Sequence, residues 1–257
     1  MILSFNGQIT DPQDAKISVT SETVMFGKGV FESFIVEAGQ AFLLDPHLDR
    51  FLAGLQTTNL NLPVTKTQLH QWIKSLYLAQ PSEVLRFKVM GTCEGVWIFS
   101  NVMEQLRHEP WVLRSYKGHR SLAAIKSTSY LECLLAHEQA TGQGADEALL
   151  CNHHGMIYEG SRSNFYWLAG GKLRSKKRGV LPGVTREFIA INHPGGIHWE
   201  SLQLSLVHQI EGAFVSNGIR GLLPVSQIDD VLIPVTDAAK ELCHWFAEAR
   251  SGQLRPL

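Results

Sequence analysis

Apolar and polar residues alternate along "ILSFNGQI", and the run breaks at Asn6-Gly7, a pair suited to the left-handed backbone of a tight hairpin turn. The spacing predicts a strand on each side. Residues 29–44, "GVFESFIVEAGQAFLL", predict two more strands around Ala38-Gly39. The period then changes. Leu48, Phe51, Leu52 and Leu55 recur at helical spacing in "DPHLDRFLAGLQTTNL", with Asp45 as the expected N-cap and Pro46 in the first turn. "TKTQLHQWIKSLYLAQ" reads as a second helix stopped by Pro81, and "EVLRFKVMG" and "GVWIFSNVM" as paired strands. This half of the chain is α+β with much antiparallel pairing.

The stretch 105–120, "QLRHEPWVLRSYKGHR", is charged and has no strong period, so part of it reads as a link between domains. A helix near 130–141 ends at Gly142. Short strands follow in "EALLCN", "MIYEG", "NFYWLAGGKL" and "GAFVSNG", the first two joined by a turn at Asn152-His153-His154-Gly155. "LPGVTREFIAI" and "TDAAKELCHWFAEAR" read as further helices. There is no internal repeat and no low-complexity tract.

Composition narrows the function classes. The 257 residues are enough for one large domain or two modest ones. The 23 Lys plus Arg against 24 Asp plus Glu argue against an extended nucleic-acid or membrane-surface footprint. The basic run "KLRSKKR" (172–178) reads as a solvated loop. No apolar run spans a bilayer, and "MILSFNGQITD" lacks a signal-peptide pattern, so a cytoplasmic location is expected. The four cysteines, Cys93, Cys133, Cys151 and Cys243, contain no CxxC pair. They read as free thiols in a reducing compartment, and no metal site is expected.

Four features bear on chemistry. Lys126 lies between an apolar run and a helix in "LAAIKSTSYLECLLA". Either its stem covers apolar surface while its head reaches water, or its amine is held in a dry site, where a depressed pKa makes it a nucleophile able to form an imine with an aldehyde. In "LPGVTREF", Pro182-Gly183 turns into a helix beginning at Val184-Thr185. That start suits a phosphate, or Thr185 is an ordinary N-cap. In "HLDRF", Arg50 is either a planar fork for a phosphate or a surface arginine paired with Asp49 or Glu32. In "YEGSRSNF", Glu159 ends a strand where a carboxylate could hold a protonated ring nitrogen, or it merely precedes a turn. Together, an imine-forming lysine, two phosphate grips and a carboxylate are what pyridoxal 5′-phosphate requires of a protein.

With these motifs in place, the sequence resembles the fold-type IV pyridoxal-phosphate enzymes: branched-chain aminotransferases, D-amino-acid aminotransferases and 4-amino-4-deoxychorismate lyases. The matching stretches are "FGKGVFESF", "HLDRF", "IKSTSYL", "GADEALLCNHHGMIYEGSRSNFYW", "GVLPGVTREF" and "GAFVSNGIRGLLPV", in the family's order and over nearly the whole chain. The resemblance implies a two-domain α+β fold. A small N-terminal α+β domain would cover residues 1–112, a linker 113–121, and a larger C-terminal pseudo-barrel domain that binds pyridoxal phosphate 122–257. It implies Lys126 as the Schiff-base lysine, Glu159 as the partner of the pyridine nitrogen and Arg50 as the phosphate arginine. It further implies Val184 and Thr185 as the phosphate-binding helix start, Asn217 as a further phosphate contact, and a homodimer acting on a small molecule.

Within the family, "VSNGIRGLLPVSQID" (215–229) is closer in style to the lyase. The activity this implies is conversion of 4-amino-4-deoxychorismate to 4-aminobenzoate and pyruvate, in folate biosynthesis, with Lys126 taking the C4 proton. Two alternatives stand beside it: an aminotransferase using the same site, and a catalytically inactive binding or regulatory protein of the same fold. Lys28 departs from the acidic residue common in the "GxGVFE" turn, and "FKVMGTCEGVWIF" lacks an arginine often found there in lyases. Arg114, Arg220 and Tyr130 are the candidates for binding substrate carboxylates.

Overall fold

The computed structural model describes residues 1–103 and 109–257. The described chain divides into two compact units. One holds the described residues up to 103 together with Ile125–Tyr130 and Gly252–Leu257, and the other holds 109–124 and Leu131–Ser251. Residues 105–108, where the expected link begins, lie outside the described residues.

In the first unit, β1 (Ile2–Phe5) and β2 (Gln8–Thr10) form the hairpin foreseen at Asn6-Gly7, whose φ angles are 48° and 85°. A short helix, α1 (Glu22–Phe26), is capped by Ser21 and had no periodic signal. Strands β3 (Val30–Glu37) and β4 (Gln40–Phe42) turn at Ala38-Gly39, also with positive φ. Helices α2 (Leu44–Thr57) and α3 (Lys66–Ala79) follow. The expected cap at Asp45 is not used. Leu43, in the left-handed region, precedes α2, and Asp45 instead pairs with His70 Nε2 at 2.8 Å. The start of α3 carries a reciprocal Thr65–Gln68 cap. Strands β5 (Val84–Gly91) and β6 (Val96–Val102) pair antiparallel. The apolar stripes of the two long helices, Leu48, Phe51 and Leu55 with Leu69, Ile73 and Leu76, bury against Phe34, Phe87 and Ile98 of the sheet. Each such side chain contributes about 1.5–3 kcal/mol.

The second unit contains β7 (Trp111–Lys117), α4 (Leu131–Gly142), β8 (Glu147–Cys151), β9 (Ile157–Gly160), β10 (Asn164–Ala169) and β11 (Lys172–Ser175). It continues with α5 (Val184–Asn192), β12 (His198–Trp199), β13 (Gly212–Asn217), β14 (Gly221–Ile228), β15 (Val231–Leu232) and α6 (Asp237–Ser251). Its sheet runs β12-β11-β10-β13-β14-β7-β8-β9, with β15 beside β14. Most pairs are antiparallel, but β7 lies parallel to both β14 and β8.

Residues 113–117, assigned above to a linker, are thus part of an inner strand. Leu113 is its one fully buried residue, and the polar Arg114, Ser115 and Lys117 hid the period. The domain boundary expected at 122 differs for the same kind of reason. Ile125–Tyr130 is tied to the start of β3: Ser127 bridges Val30, Phe31 N–H donates to Lys126 O at 2.8 Å, and Thr128 N–H donates to Gly29 O at 2.9 Å. The last strand, β16 (Leu254–Pro256), pairs with β4, giving the first unit's sheet the order β16-β4-β3-β5-β6-β1-β2. No helix of the described residues is long and apolar enough to cross a membrane.

Candidate active site

Lys126 and Arg50 belong to the first unit; Glu159, Val184, Thr185 and Asn217 belong to the second. In the first unit, Lys126 is half-buried and its ammonium lies 4.7 Å from the centroid of the buried Phe31 ring. Tyr130 meets the same ring edge-on, with centroids 5.5 Å apart. The backbone bonds of 126–128 to β3 fix this lysine on the strand rather than on a solvent loop.

Glu32, the next residue of β3, is fully buried and gathers two basic side chains from α2. Arg50 reaches it bidentately, Nε at 2.6 Å and Nη2 at 2.8 Å, and His47 Nδ1 lies 2.8 Å from Oε2. His47 and Arg50, one helical turn apart, face the sheet together. Burial alone would raise the Glu32 carboxyl. The Arg50 charge and the hydrogen bonds from His47 and Arg50 overcome it and hold the pKa at about 2. Burial lowers the His47 pKa despite Glu32. The imidazole is therefore neutral, Nδ1–H donates to Glu32, and Nε2 is a buried acceptor with no partner among the described residues. Arg50 is not a surface arginine: of the alternatives in the sequence, the pairing with Glu32 is the one realised.

In the second unit, Glu159 is buried near the end of β9. Its Oε2 accepts from Leu181 N–H at 2.9 Å and from Asn164 Nδ2 at 3.3 Å, and its Oε1 lies 3.6 Å from Arg120 Nη1. The turn that follows is pinned by Glu147, which accepts from Ser161 Oγ, Ser163 Oγ and Arg162 N–H. Asn164 Nδ2 also donates to Leu181 O at 2.9 Å, just before the chain turns through Pro182-Gly183 into α5. Gly183 is the N-cap residue and has no side chain to cap the helix; Thr185 is inside the helix rather than its cap. The first turn of α5 therefore presents backbone N–H groups and a positive dipole end. Thr185 Oγ1 is buried there with no partner among the described residues. Asn217 ends β13, one residue past Ser216, which pairs with Asn164 in register. Its Oδ1 accepts from Ile219 N–H at 2.9 Å and Arg220 N–H at 2.8 Å, so its acceptor is spent on its own turn and its amide N–H groups are the donors it offers.

Glu159, the start of α5 and the Asn217 turn are thus gathered around Asn164, a residue the sequence did not single out. His47 and Phe31 are likewise not singled out by the sequence, which offers Glu32 only as a possible partner of Arg50; the helical spacing of His47 and Arg50 is the available signal. Of the carboxylate candidates, Tyr130 comes close to Phe31 and Arg220 lies in the Asn217 turn. Arg114 pairs with the exposed Asp230 at 3.0 Å. Each unit by itself carries groups that fit a part of a phosphorylated pyridine aldehyde: in the second, an orphaned buried hydroxyl at an uncapped helix start suits a dianion and a buried carboxylate suits a ring nitrogen, and in the first, a half-buried amine suits an aldehyde.

The sequence matches the family described as amino-transferase class IV over residues 29–228. A Methanocaldococcus jannaschii protein, assigned provisionally as a branched-chain-amino-acid aminotransferase, is 26% identical over 279 residues, covering 98% of this chain and 97% of that protein. The aminodeoxychorismate lyase of Bacillus subtilis is 23% identical over 252 residues, covering 88% and 86%. The fold is that of the branched-chain aminotransferase from Thermoproteus uzoniensis, solved with norvaline: TM-score 0.91, 22% identity, 100% of this chain and 99% of that one. The chain belongs to the class IV amino-transferase family, the fold-type IV α+β enzymes whose cofactor is pyridoxal 5′-phosphate.

Proposed function

We propose that this protein removes the proton beside the amino group of a carboxylate-bearing primary amine, and that its reaction is conversion of 4-amino-4-deoxychorismate to 4-aminobenzoate and pyruvate. The observation that carries the enzymatic part is Lys126, an amine held by backbone bonds to β3 against the buried Phe31 ring. When bound, pyridoxal phosphate supplies an aldehyde for a primary amine and a ring that accepts the electron pair left by a departing proton. Lys126 Nζ takes the proton from the substrate carbon that bears nitrogen. Glu159, beside Arg120, holds a proton at the ring nitrogen. The Thr185 hydroxyl, the N–H groups of Val184 and Thr185, and the side-chain amide of Asn217 bind phosphate, as does the Arg50 guanidinium that Glu32 orients. The lyase reaction is supported by the 215–229 segment and by the Bacillus subtilis relative.

Amino transfer between an amino acid and a keto acid is the second reading. The Methanocaldococcus jannaschii relative, matched along almost the whole chain, favours it. Cytoplasmic homodimers belong to either reading; Leu131, Leu134 and Leu135, exposed on α4, are apolar surface that pairing would cover.

Loaded protein is mixed with chorismate, ammonia and an aminating synthase, and separately with an amino acid and a keto acid. Release of 4-aminobenzoate, lost in Lys126→Ala together with the yellow colour, is expected. Amino transfer without 4-aminobenzoate overturns the lyase assignment, and full turnover by Lys126→Ala overturns the role of that residue.

A further inference from the structure

Lys88 is on β5, directly opposite Ser33 of β3. Side chains alternate along strands, so Phe31, Ser33 and Lys88 share one face while Glu32 is on the other. The Lys88 ammonium lies 4.8 Å from the Phe31 centroid, and the Lys126 ammonium lies 4.7 Å from the same centroid. Two like charges are gathered around one buried ring. Arg86, on the same face two residues earlier, adds a third positive charge that opposes Lys88.

Lys88 is half-buried, and among the described residues it has neither a hydrogen bond nor an ion pair. Burial, and then Arg86, lower its pKa from the ordinary 10.5. The buried carboxylate of this unit, Glu32, is engaged by Arg50 and His47. A lysine with a flexible stem ordinarily carries its head into water, where three donors are satisfied. Lys88 instead lies against an aromatic face with no protein acceptor among the described residues, beside the amine proposed to react. The phosphate of the cofactor has its own donors in Thr185 and the start of α5, so the anion that answers Lys88 comes with the substrate.

We infer that Lys88 binds a carboxylate of the substrate and so places the substrate's amino group beside Lys126. The inference rests on the proposed function in taking Lys126 as the reacting amine. It assigns to Lys88 the discrimination between the carboxylate-bearing amines of that reading and uncharged amines of the same shape.

The test compares two acids with their carboxamides, 4-methylvalerate and 4-aminobenzoate. Calorimetry follows their binding to wild type, Lys88→Met and Lys88→Arg, each loaded with pyridoxal phosphate and unloaded. At least one acid is expected to bind wild type at least about tenfold more tightly than its amide. In Lys88→Met that acid should fall to the level of its amide, with amide binding unchanged, whereas Lys88→Arg should keep most of the preference. Amide binding also reports that the variant is folded. A wild-type preference retained in Lys88→Met overturns the inference; so does absence of any preference in wild type, or a loss of amide binding equal to that of the acid. Failure of the functional reading shows elsewhere: wild type would take up no colour with pyridoxal phosphate, or Lys126→Ala would keep it. The acid preference of the unloaded chain would then still decide the role of Lys88.

Discussion

Burial keeps His47 neutral and Glu32 sets its tautomer: Nδ1–H donates to the Glu32 carboxylate at 2.8 Å, which leaves Nε2 as a bare acceptor in the interior. Both groups make the fold acid-sensitive. The folded chain keeps His47 neutral below the ordinary 6.5, while the unfolded ring takes up a proton, so stability falls as pH drops through 6.5. Glu32 keeps its charge down to about 2, against 4.5 unfolded. Its contribution is complete above 4.5 and is lost between 4.5 and about 2. Urea midpoints at about pH 8, 6 and 4 should fall in that order. Glu32→Gln should cost about 3 kcal/mol at neutral pH, because it leaves Arg50 facing a neutral amide. A midpoint that is flat from about pH 7 to 5 would count against a neutral buried His47.

Lys88→Met should make the unloaded chain more stable, by about 0.5–2 kcal/mol, since it removes a charge kept in an apolar setting without a counterion. Denaturant titration of wild type and variant measures this. A loss of stability would mean that Lys88 braces the sheet.

Thr185→Val should leave the unloaded chain as stable as wild type or up to about 1 kcal/mol more so, because the hydroxyl it deletes has no partner in the interior. The same change should weaken pyridoxal phosphate binding about tenfold, with Thr185→Ser close to wild type. Titration of the unloaded protein with the cofactor separates the two effects. Unchanged cofactor affinity would remove Thr185 from the phosphate site.

Gly183→Ala should disturb Glu159 through an intermediary. A methyl group at Gly183 would overlap Asn164 Oδ1 and drive that amide away from Glu159 and Leu181. A cost of about 1–3 kcal/mol in stability is expected, with weaker cofactor uptake. Melting temperature and bound colour report both; no change in either would show that Asn164 can move freely.

Local signals carried much of the fold. The Asn6-Gly7 and Ala38-Gly39 turns, the Thr65 start of α3, the stop before Pro81 and the Gly142 end of α4 each follow from a short run of residues. What was hidden depends on long-range pairing. β7 lies between β14 and β8 with Arg114, Ser115 and Lys117 interrupting its apolar start, and nothing within 111–117 announces two parallel neighbours. The same holds for the site. Lys126, Glu159 and Arg50 stand in recognisable motifs, but Asn164 gains its place only when β10 pairs with β13 and the 181–183 turn packs on it. Lys88 looks like any solvent-side residue of an alternating strand until the Phe31 ring is seen beneath its ammonium.

Strand β16 closes the edge of a sheet whose other strands all lie before residue 103. On the ribosome, the edge of β4 must therefore wait, unpaired, while the roughly 150 residues between β6 and β16 are made. A nascent chain released after Ser251 would carry Lys126 but leave that ladder open to a neighbouring polypeptide. Pulse-labelled truncations should pellet until Pro256 has been added.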